Sequence, residues 1–429
     1  MPGVLGALGV LGDRMVGLWA LKPKTTVMNQ ETLSFINEHA GDDVRRLALQ
    51  GGRHPGVDMP FALDQIAGRQ MARRKLPSWA AVDGIVYPPH LSMEQCSGEA
   101  AAAYKAAVAR RVAGGGRLVD LTGGFGVDFA FMAPAFASAT YVERQPGLCA
   151  IASANFGLLG LGRAEVVCAD SAEYLERMGP AGLIYVDPAR RDAVGGRTFA
   201  VSDCTPDVAA LRGAMLAKAD SVMVKLSPML DWRKAVADMG GEVGEVHIVS
   251  VGGECKELLL VMGKGCGVGL SVHCVNDGSD FAFDASGIGP VPSTPCGFAS
   301  LDGLRGMMVY EPNASVMKAG CFGLLERRFG VKALGRDSHL FVSGGPVDGF
   351  PGRGFVIERA TTMNKRLLRE ALSGIGRANV AVRNFPLTVA ELRRRLKLGE
   401  GGGVYVFATT LADRTHVLLV CSKATPVRG

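Results

Sequence analysis

LVDLTGGFGVDF, Leu118–Phe129, is an apolar run that reaches an acid, Asp120, and then breaks into a turn holding Gly123, Gly124 and Gly126. A strand, a glycine turn and a helix start together form a ligand cradle. Without a Cβ the backbone N–H groups come close to a ligand, and the first donors of the helix are free. Two ligand classes use such a turn, dinucleotides and S-adenosylmethionine. The dinucleotide fingerprint G-x-G-x-x-G finds Gly124 and Gly126, but Phe129 stands at its third glycine. Asp120 would repel a pyrophosphate and attract the ammonium of a methionine group.

Beyond this stretch the apolar pattern repeats. RLVDLT, SATYVE, AEVVCA, GLIYVD and DSVMVKL are short buried strands separated by helical segments, and EVHIVSV with ELLLVMG reads as a closing hairpin. Seven strands of this kind predict an α/β, Rossmann-like parallel sheet. Chemistry-bearing residues recur at the strand ends. Thr122 completes the first turn. Glu143 ends the second strand, placed for two ribose hydroxyls. Asp170 ends the third, placed for the exocyclic amine of adenine, with the backbone N–H of Ser171 on a ring nitrogen. Asp187-Pro188 ends the fourth, at the edge where open α/β sheets bind ligands. Each acid taken alone reads as a loop carboxylate or helix cap, but the recurrence at successive strand ends argues for one site.

The flanks differ in character. Residues 28–111 read as a helical region, with Ser92 and Gln95 forming a capping-box signal for a helix to about Arg111. The sheet occupies 112–263. Residues 264–351 are richer in Gly, Pro and Ser and read as a small α+β piece with one short helix near Ala314–Phe329. Residues 352–429 follow a βαβαββ order, in which Thr388 is the N-cap, Glu391 its capping-box partner and Leu387 with Leu392 a hydrophobic staple. The opening residues 1–27 read either as a disordered extension or as sequence ahead of a start at Met28.

The formal charge of +6 is local: from Arg353 to Gly429 there are 14 Lys+Arg against 5 Asp+Glu, so this tail carries +9 and the remainder −3. A local basic surface suits a phosphate backbone, although a solvated basic face has the same composition. On a helix Arg393, Arg394 and Lys397 share one face and leave Leu392 and Leu396 for the core. The ten cysteines show neither C-x-x-C pairing nor zinc spacing, which predicts free thiols in a reducing cytoplasm and no metal site. No uncharged run is long enough for a membrane-spanning helix.

DLTGGFG, Glu143, Asp170 and Asp187-Pro188 resemble the successive motifs of class I S-adenosylmethionine-dependent methyltransferases. DVRRLALQ, MPFALDQIAGRQ, LSMEQCS, DPARRD, KLSPMLD, YEPNASVMKAG, HLFVS, FPGR and NFPLTVAELRRRLKL extend the likeness. The chain from about Met28 resembles a bacterial methyltransferase family with a ferredoxin-like insert and a THUMP-like C-terminal domain. The resemblance implies S-adenosyl-L-methionine as cofactor and an RNA-binding appendage; combined with the +9 tail and the basic run Arg393–Lys397, it makes tRNA or rRNA the expected partner.

The tetrad Asp187-Pro188-Ala189-Arg190 lacks the second proline and the aromatic of amino-directed enzymes and is nearer the D-P-P-R of uridine carbon-5 enzymes. That chemistry needs a cysteine nucleophile, for which Cys204 is the nearby thiol, an inert thiol being the favoured reading. Asp187 is the first choice for orienting the acceptor or taking its proton, ahead of Asp203. Arg190 and Arg191 suit a phosphate or base edge, or else ion pairs with Asp192 and Glu143. Lys225 faces the same crevice, the following Ser-Pro-Met-Leu loop suits a lid, and Trp232 reads as core. Gln95 or Ser97 is placed near the first strand. The rival readings are a methyltransferase for a protein or small molecule, and a non-catalytic RNA-binding protein that retains S-adenosylmethionine.

Overall fold

The computed structural model describes residues 29–190, 200–264, 268–286, 295, 297 and 300–424. The expectations for residues 1–27, Met28, Arg191 and Asp192 lie outside the described residues. The chain forms two compact units. One comprises the chain to Val251 with Lys256–Ser271, the other Gly252–Cys255 with Val272 onward.

In the first unit every predicted strand run is a strand: β1 (Arg117–Asp120), β2 (Ser138–Glu143), β3 (Glu165–Cys168), β4 (Ala181–Val186), β7 (Ala219–Leu226), β8 (Val243–Val251) and β9 (Glu254–Gly263). They lie in the order β3-β2-β1-β4-β7-β9-β8. The first five run parallel, and β9 is antiparallel to β7. A two-stranded ribbon, β5 (Ala189–Arg190) with β6 (Cys204–Thr205), follows the β4 turn. Leu118, Tyr141, Leu183, Tyr185, Met223 and Leu259 form one core face with Val108, Ala109 and Val112 of the helix Glu99–Ala113. That helix is alanine-rich, which favours helix intrinsically. Its buried stripe runs through Ala101, Ala102, Lys105, Val108, Ala109 and Val112, so a lysine lies in the middle of an apolar face.

The helical front region packs onto the glycine turn itself. Phe125 meets Trp79 edge-on at 4.9 Å and Tyr87 at 6.4 Å, within a cluster that includes Ala72, Leu76, Met93 and Ala102. Asn155 donates to the Val86 carbonyl at 2.8 Å and accepts the Val86 N–H at 2.9 Å.

The Ser92 capping box does not form. A helix His90–Gln95 ends before Cys96, and a second, Glu99–Ala113, starts at an N-cap glycine, Gly98. Lys75 caps the first helix by donating to the carbonyls of Met93 and Glu94 at 2.9 and 2.7 Å. The Ser97 hydroxyl is drawn to Asp128 at 2.9 Å, which breaks the helical path between them.

In the second unit, β10 (Ser271–Asn276) and β11 (Ser279–Asp284) precede a seven-stranded sheet. Its strands are β12 (Met308–Pro312), β13 (Lys332–Ala333), β14 (Phe341–Ser343), β15 (Gly352–Thr362), β16 (Arg377–Val382), β17 (Gly399–Thr410) and β18 (His416–Lys423), in the order β13-β14-β12-β15-β18-β17-β16. The expected single helix near Ala314–Phe329 is two, Ala314–Ala319 and Phe322–Phe329, because Gly320 closes the first in the left-handed region at φ 66°. From β15 onward the order is βαβαββ. Alternating residues feed two cores: Leu368, Leu392 and Leu396 of its helices meet Ala378, Val406 and Leu418, while Phe355, Phe407 and Leu419 face Val309 and Val342. Among the described residues no helix is long and apolar enough to cross a membrane, and none of the eight described cysteines forms a disulfide.

Candidate active site

The predicted residues of β1 to β4 are tied together by hydrogen bonds at one sheet edge. Asp120 is 1% exposed and accepts the Thr122 N–H at 2.9 Å. The Thr122 hydroxyl in turn accepts the Asp187 N–H at 2.6 Å, joining the turns after β1 and β4. Gly123 donates to the Val142 carbonyl at 2.8 Å and Gly124 to Glu143 Oε2 at 3.0 Å, while Glu143 Oε1 accepts the Gln145 N–H at 2.9 Å. Ser171 donates its hydroxyl to the Leu121 carbonyl at 2.7 Å. Asp170 is exposed and caps the helix Ser171–Arg177 through the Ala172 N–H at 2.8 Å.

Two of the glycines are required by space. A Cβ on Gly123 would stand 2.1 Å from the Tyr141 ring, and one on Gly126, which has φ +86°, 2.8 Å from Phe156. At these two positions the turn lies directly on the rings of the core, which leave no room for a side chain.

Lys225, at the end of β7, forms an ion pair with Asp187 Oδ2. Burial alone would lower the Lys225 ammonium, but the carboxylates of Asp187, Asp128 and Glu257 outweigh it and raise it above the ordinary lysine value. Burial raises Asp120 well above the usual carboxylate range, helped by the neighbouring acids Asp128, Asp187 and Glu143 and opposed by the Thr122 N–H. Asp128 goes the other way. Burial would raise it, yet the ammonium groups of Lys105 and Lys225 and the hydroxyls of Tyr185 and Ser97 hold it below that range.

Of the remaining candidates, Arg190 is placed by its backbone alone, opposite Cys204 in the β5–β6 ribbon. Cys204 is 4% exposed, in keeping with an inert thiol. Asp203 accepts the Ala200 N–H at 3.1 Å. Trp232 is buried, with the Arg233 guanidinium 4.2 Å from its ring centroid. Gln95 is exposed, whereas Ser97 is buried at the glycine-turn helix. Sequence reasoning missed Lys105, Asp128, Tyr185 and Glu257. The available signal was a charge inside an apolar pattern: Lys105 in its helix stripe, and Glu257 leading into LLLVM.

In the second unit Arg393, Arg394 and Lys397 come together as expected, lining a shallow groove of about 500 Å³ with Ala390, Leu398 and Gly399. Arg393 pairs with Glu400 at 3.2 Å, and Arg394 and Lys397 are exposed.

A sheet in the order β3-β2-β1-β4-β7-β9-β8 with β9 reversed, a glycine turn after β1 and acids at the ends of β2, β3 and β4 define the class I methyltransferase fold. A proposed methyltransferase from Porphyromonas gingivalis W83 is 31% identical, covers 95% of this chain and 98% of its own, and superposes with a TM-score of 0.77. Residues 309–351 match the ferredoxin-like domain family and residues 352–423 the THUMP domain-like family. The chain belongs to the family of the P. gingivalis protein: a class I methyltransferase fold followed by ferredoxin-like and THUMP-like domains. An rRNA methylase from Streptococcus thermophilus is 13% identical over 38% of this chain and 94% of its own, with a TM-score of 0.29. A 16S rRNA N2 G1207 methyltransferase from T. thermophilus, solved with S-adenosylmethionine and guanosine, is 15% identical over 43% of this chain and 45% of its own, with a TM-score of 0.30. No curated protein sequence matches the chain.

Proposed function

We propose that the chain is an S-adenosylmethionine-dependent methyltransferase acting on a nucleotide of tRNA or rRNA. The observation that carries the reading is the linked set Asp120, Thr122, Gly124, Glu143 and Asp187 around a turn that admits no Cβ at Gly123 or Gly126. These residues fit the cofactor. Asp120 suits its ammonium, the cradle of Gly123, Gly124 and Gly126 its methionine end, Glu143 its ribose, and Asp170 with the Ser171 N–H its adenine. When bound, the cofactor supplies an electrophilic methyl group on a sulfonium.

The work left to the chain is positioning and proton handling. Asp187 accepts a hydrogen bond from the acceptor group and directs it along the line of transfer. Lys225 holds Asp187 Oδ2 and so fixes the carboxylate plane, leaving Oδ1 for the acceptor. Arg190 serves as the contact to a phosphate or base edge. In the THUMP-like domain Arg393, Arg394 and Lys397 bind phosphates, which gives affinity without sequence preference.

The test uses the purified chain, methyl-labelled S-adenosylmethionine, and total RNA from cells with and without the gene. Label is expected to enter a defined tRNA or rRNA fraction of the gene-deleted RNA and to be absent from wild-type RNA. Labelling of protein or small-molecule fractions instead would sink the RNA reading.

A further inference from the structure

Five charged side chains and two hydroxyls meet beneath the glycine turn, and the helical front region supplies two of them. The Lys105 side chain is wholly buried. Its ammonium donates to both Glu257 oxygens at 2.7 and 2.6 Å and to Ser97 Oγ at 3.0 Å, and lies 3.2 Å from Asp128 Oδ1. Asp128 Oδ2 accepts the hydroxyls of Ser97 at 2.9 Å and Tyr185 at 2.7 Å. Asp128 stands in the first turn of the helix that the glycine turn opens, and Tyr185 stands two residues before Asp187. Lys225, paired with Asp187, lies across from Leu259 on β9, two residues beyond Glu257. Taking so many ions out of water is expensive, and apolar side chains of the same volume would fill this space at less cost. What the charges provide is direction, because each ammonium and carboxylate accepts only certain partners at certain angles.

We propose that Lys105 is a positioning residue of the cofactor site. By holding Asp128 and Glu257 it sets where the glycine-turn helix stands relative to the end of β4, and so shapes the pocket for the methionine end of S-adenosylmethionine. This inference rests on the cofactor reading above. It makes the helical front region part of the cofactor-binding unit rather than an appendage. Asp128 is faced by Lys105, Ser97 and Cys96 from that region, by Asp120 on β1, Tyr185 on β4, Lys225 on β7 and Glu257 on β9. Without Lys105 it loses the nearest of its two cationic neighbours and takes up a proton more easily.

The experiment is calorimetric titration of S-adenosylmethionine into the full chain at about pH 6.5 and about pH 8.5, with thermal midpoints measured in parallel. Wild type is compared with Lys105→Met and with Lys105→Met/Glu257→Gln. The single variant strands two buried carboxylates and is expected to bind weakly or not to fold. The double variant removes one charge of each sign and is expected to keep the fold, which its thermal midpoint checks. Relative to wild type its affinity is expected to fall about ten-fold while the thermal midpoint holds, with the larger loss at the lower pH, since Asp128 without Lys105 takes up a proton more easily. A folded double variant with wild-type affinity at both pH values overturns the inference and assigns Lys105 to stability alone. A loss that is equal at both pH values and matches a lowered thermal midpoint overturns it too. If wild type itself takes up no S-adenosylmethionine, the cofactor reading fails first and this inference with it.

Discussion

Lys105 and Arg394 carry the same charge in opposite settings. Lys105 has no exposed surface and touches two carboxylates and a hydroxyl. Arg394 stands exposed on a groove with Arg393 and Lys397. A buried charge is screened little by salt and acts through the geometry of its partners, whereas an exposed one acts through a field that salt weakens within about 8–10 Å. Under the proposed function the buried cluster around Lys105 uses its charges for shape and the groove around Arg394 uses them for attraction. The proposed division of labour follows, with cofactor and acceptor handled by a rigid cluster and the RNA backbone by a screened surface.

The sharpest way to break this comparison is at Asp187, the charge that the proposed function puts between cofactor and acceptor. Asp187→Asn keeps the size of the side chain and weakens its acceptor capacity. Methyl transfer is expected to fall about 1,000-fold while cofactor affinity stays within about three-fold, because the lost interaction belongs to the transition state. Single-turnover rates and calorimetry on the same preparation check it. An equal loss in both would leave Asp187 with a cofactor-binding role alone.

At the groove, Arg393→Gln/Arg394→Gln/Lys397→Gln is expected to weaken RNA binding roughly 10- to 100-fold at low salt and to flatten the slope of log affinity against log salt by about two, for three lost phosphate contacts. Cofactor affinity and thermal midpoint should not move. Titrations of labelled RNA at several salt concentrations check it, and an unchanged slope would return this face to plain solvation.

Asp120 offers a smaller effect with a definite sign. Burial raises this carboxyl, so the folded chain holds its proton more tightly than the unfolded chain, and ionising it costs stability as pH rises through the raised value. A cationic ammonium restores the carboxylate form, so binding expels the proton. Cofactor affinity should climb with pH until the free carboxyl ionises unaided, then level off. Asp120→Asn should abolish the climb and lower the plateau about ten-fold. Proton release on binding, measured in buffers of different ionisation enthalpy, checks it.

The sheet and most of the linked site residues were legible because each is announced locally. Apolar runs of strand length end in an acid or a glycine, and a parallel sheet brings those ends to one edge. Lys105, Asp128 and Glu257 were not legible because their meaning is tertiary. Lys105 lies 152 residues from Glu257, and only the fold brings the lone charge of one apolar stripe to the lone charge of another. The Ser92 capping box misled for the same reason. Its local chemistry is sound, but Lys75 and Asp128, both distant in sequence, claim the carbonyls and the hydroxyl that decide where the helix breaks.

The other capping box shows the contrast from the side where local chemistry wins. Thr388 accepts the Glu391 N–H at 3.3 Å, and Glu391 Oε2 accepts the Thr388 N–H and hydroxyl, both at 2.8 Å. No residue from outside competes for these groups in the described structure, and Leu387 joins the same apolar cluster as Leu392. The helix that begins here ends at the groove, with Lys397 closing it in the left-handed region at φ 55°. Thr388→Ala should cost about 1 kcal/mol of stability, the ordinary worth of an N-cap. RNA affinity should stay within about two-fold, since the cap sets how firmly the helix starts and not which charges it carries. Denaturant unfolding and RNA titration of one preparation read both quantities. If affinity falls with stability, the groove depends on helix rigidity as the buried cluster does, and the contrast between the two regions narrows to exposure alone.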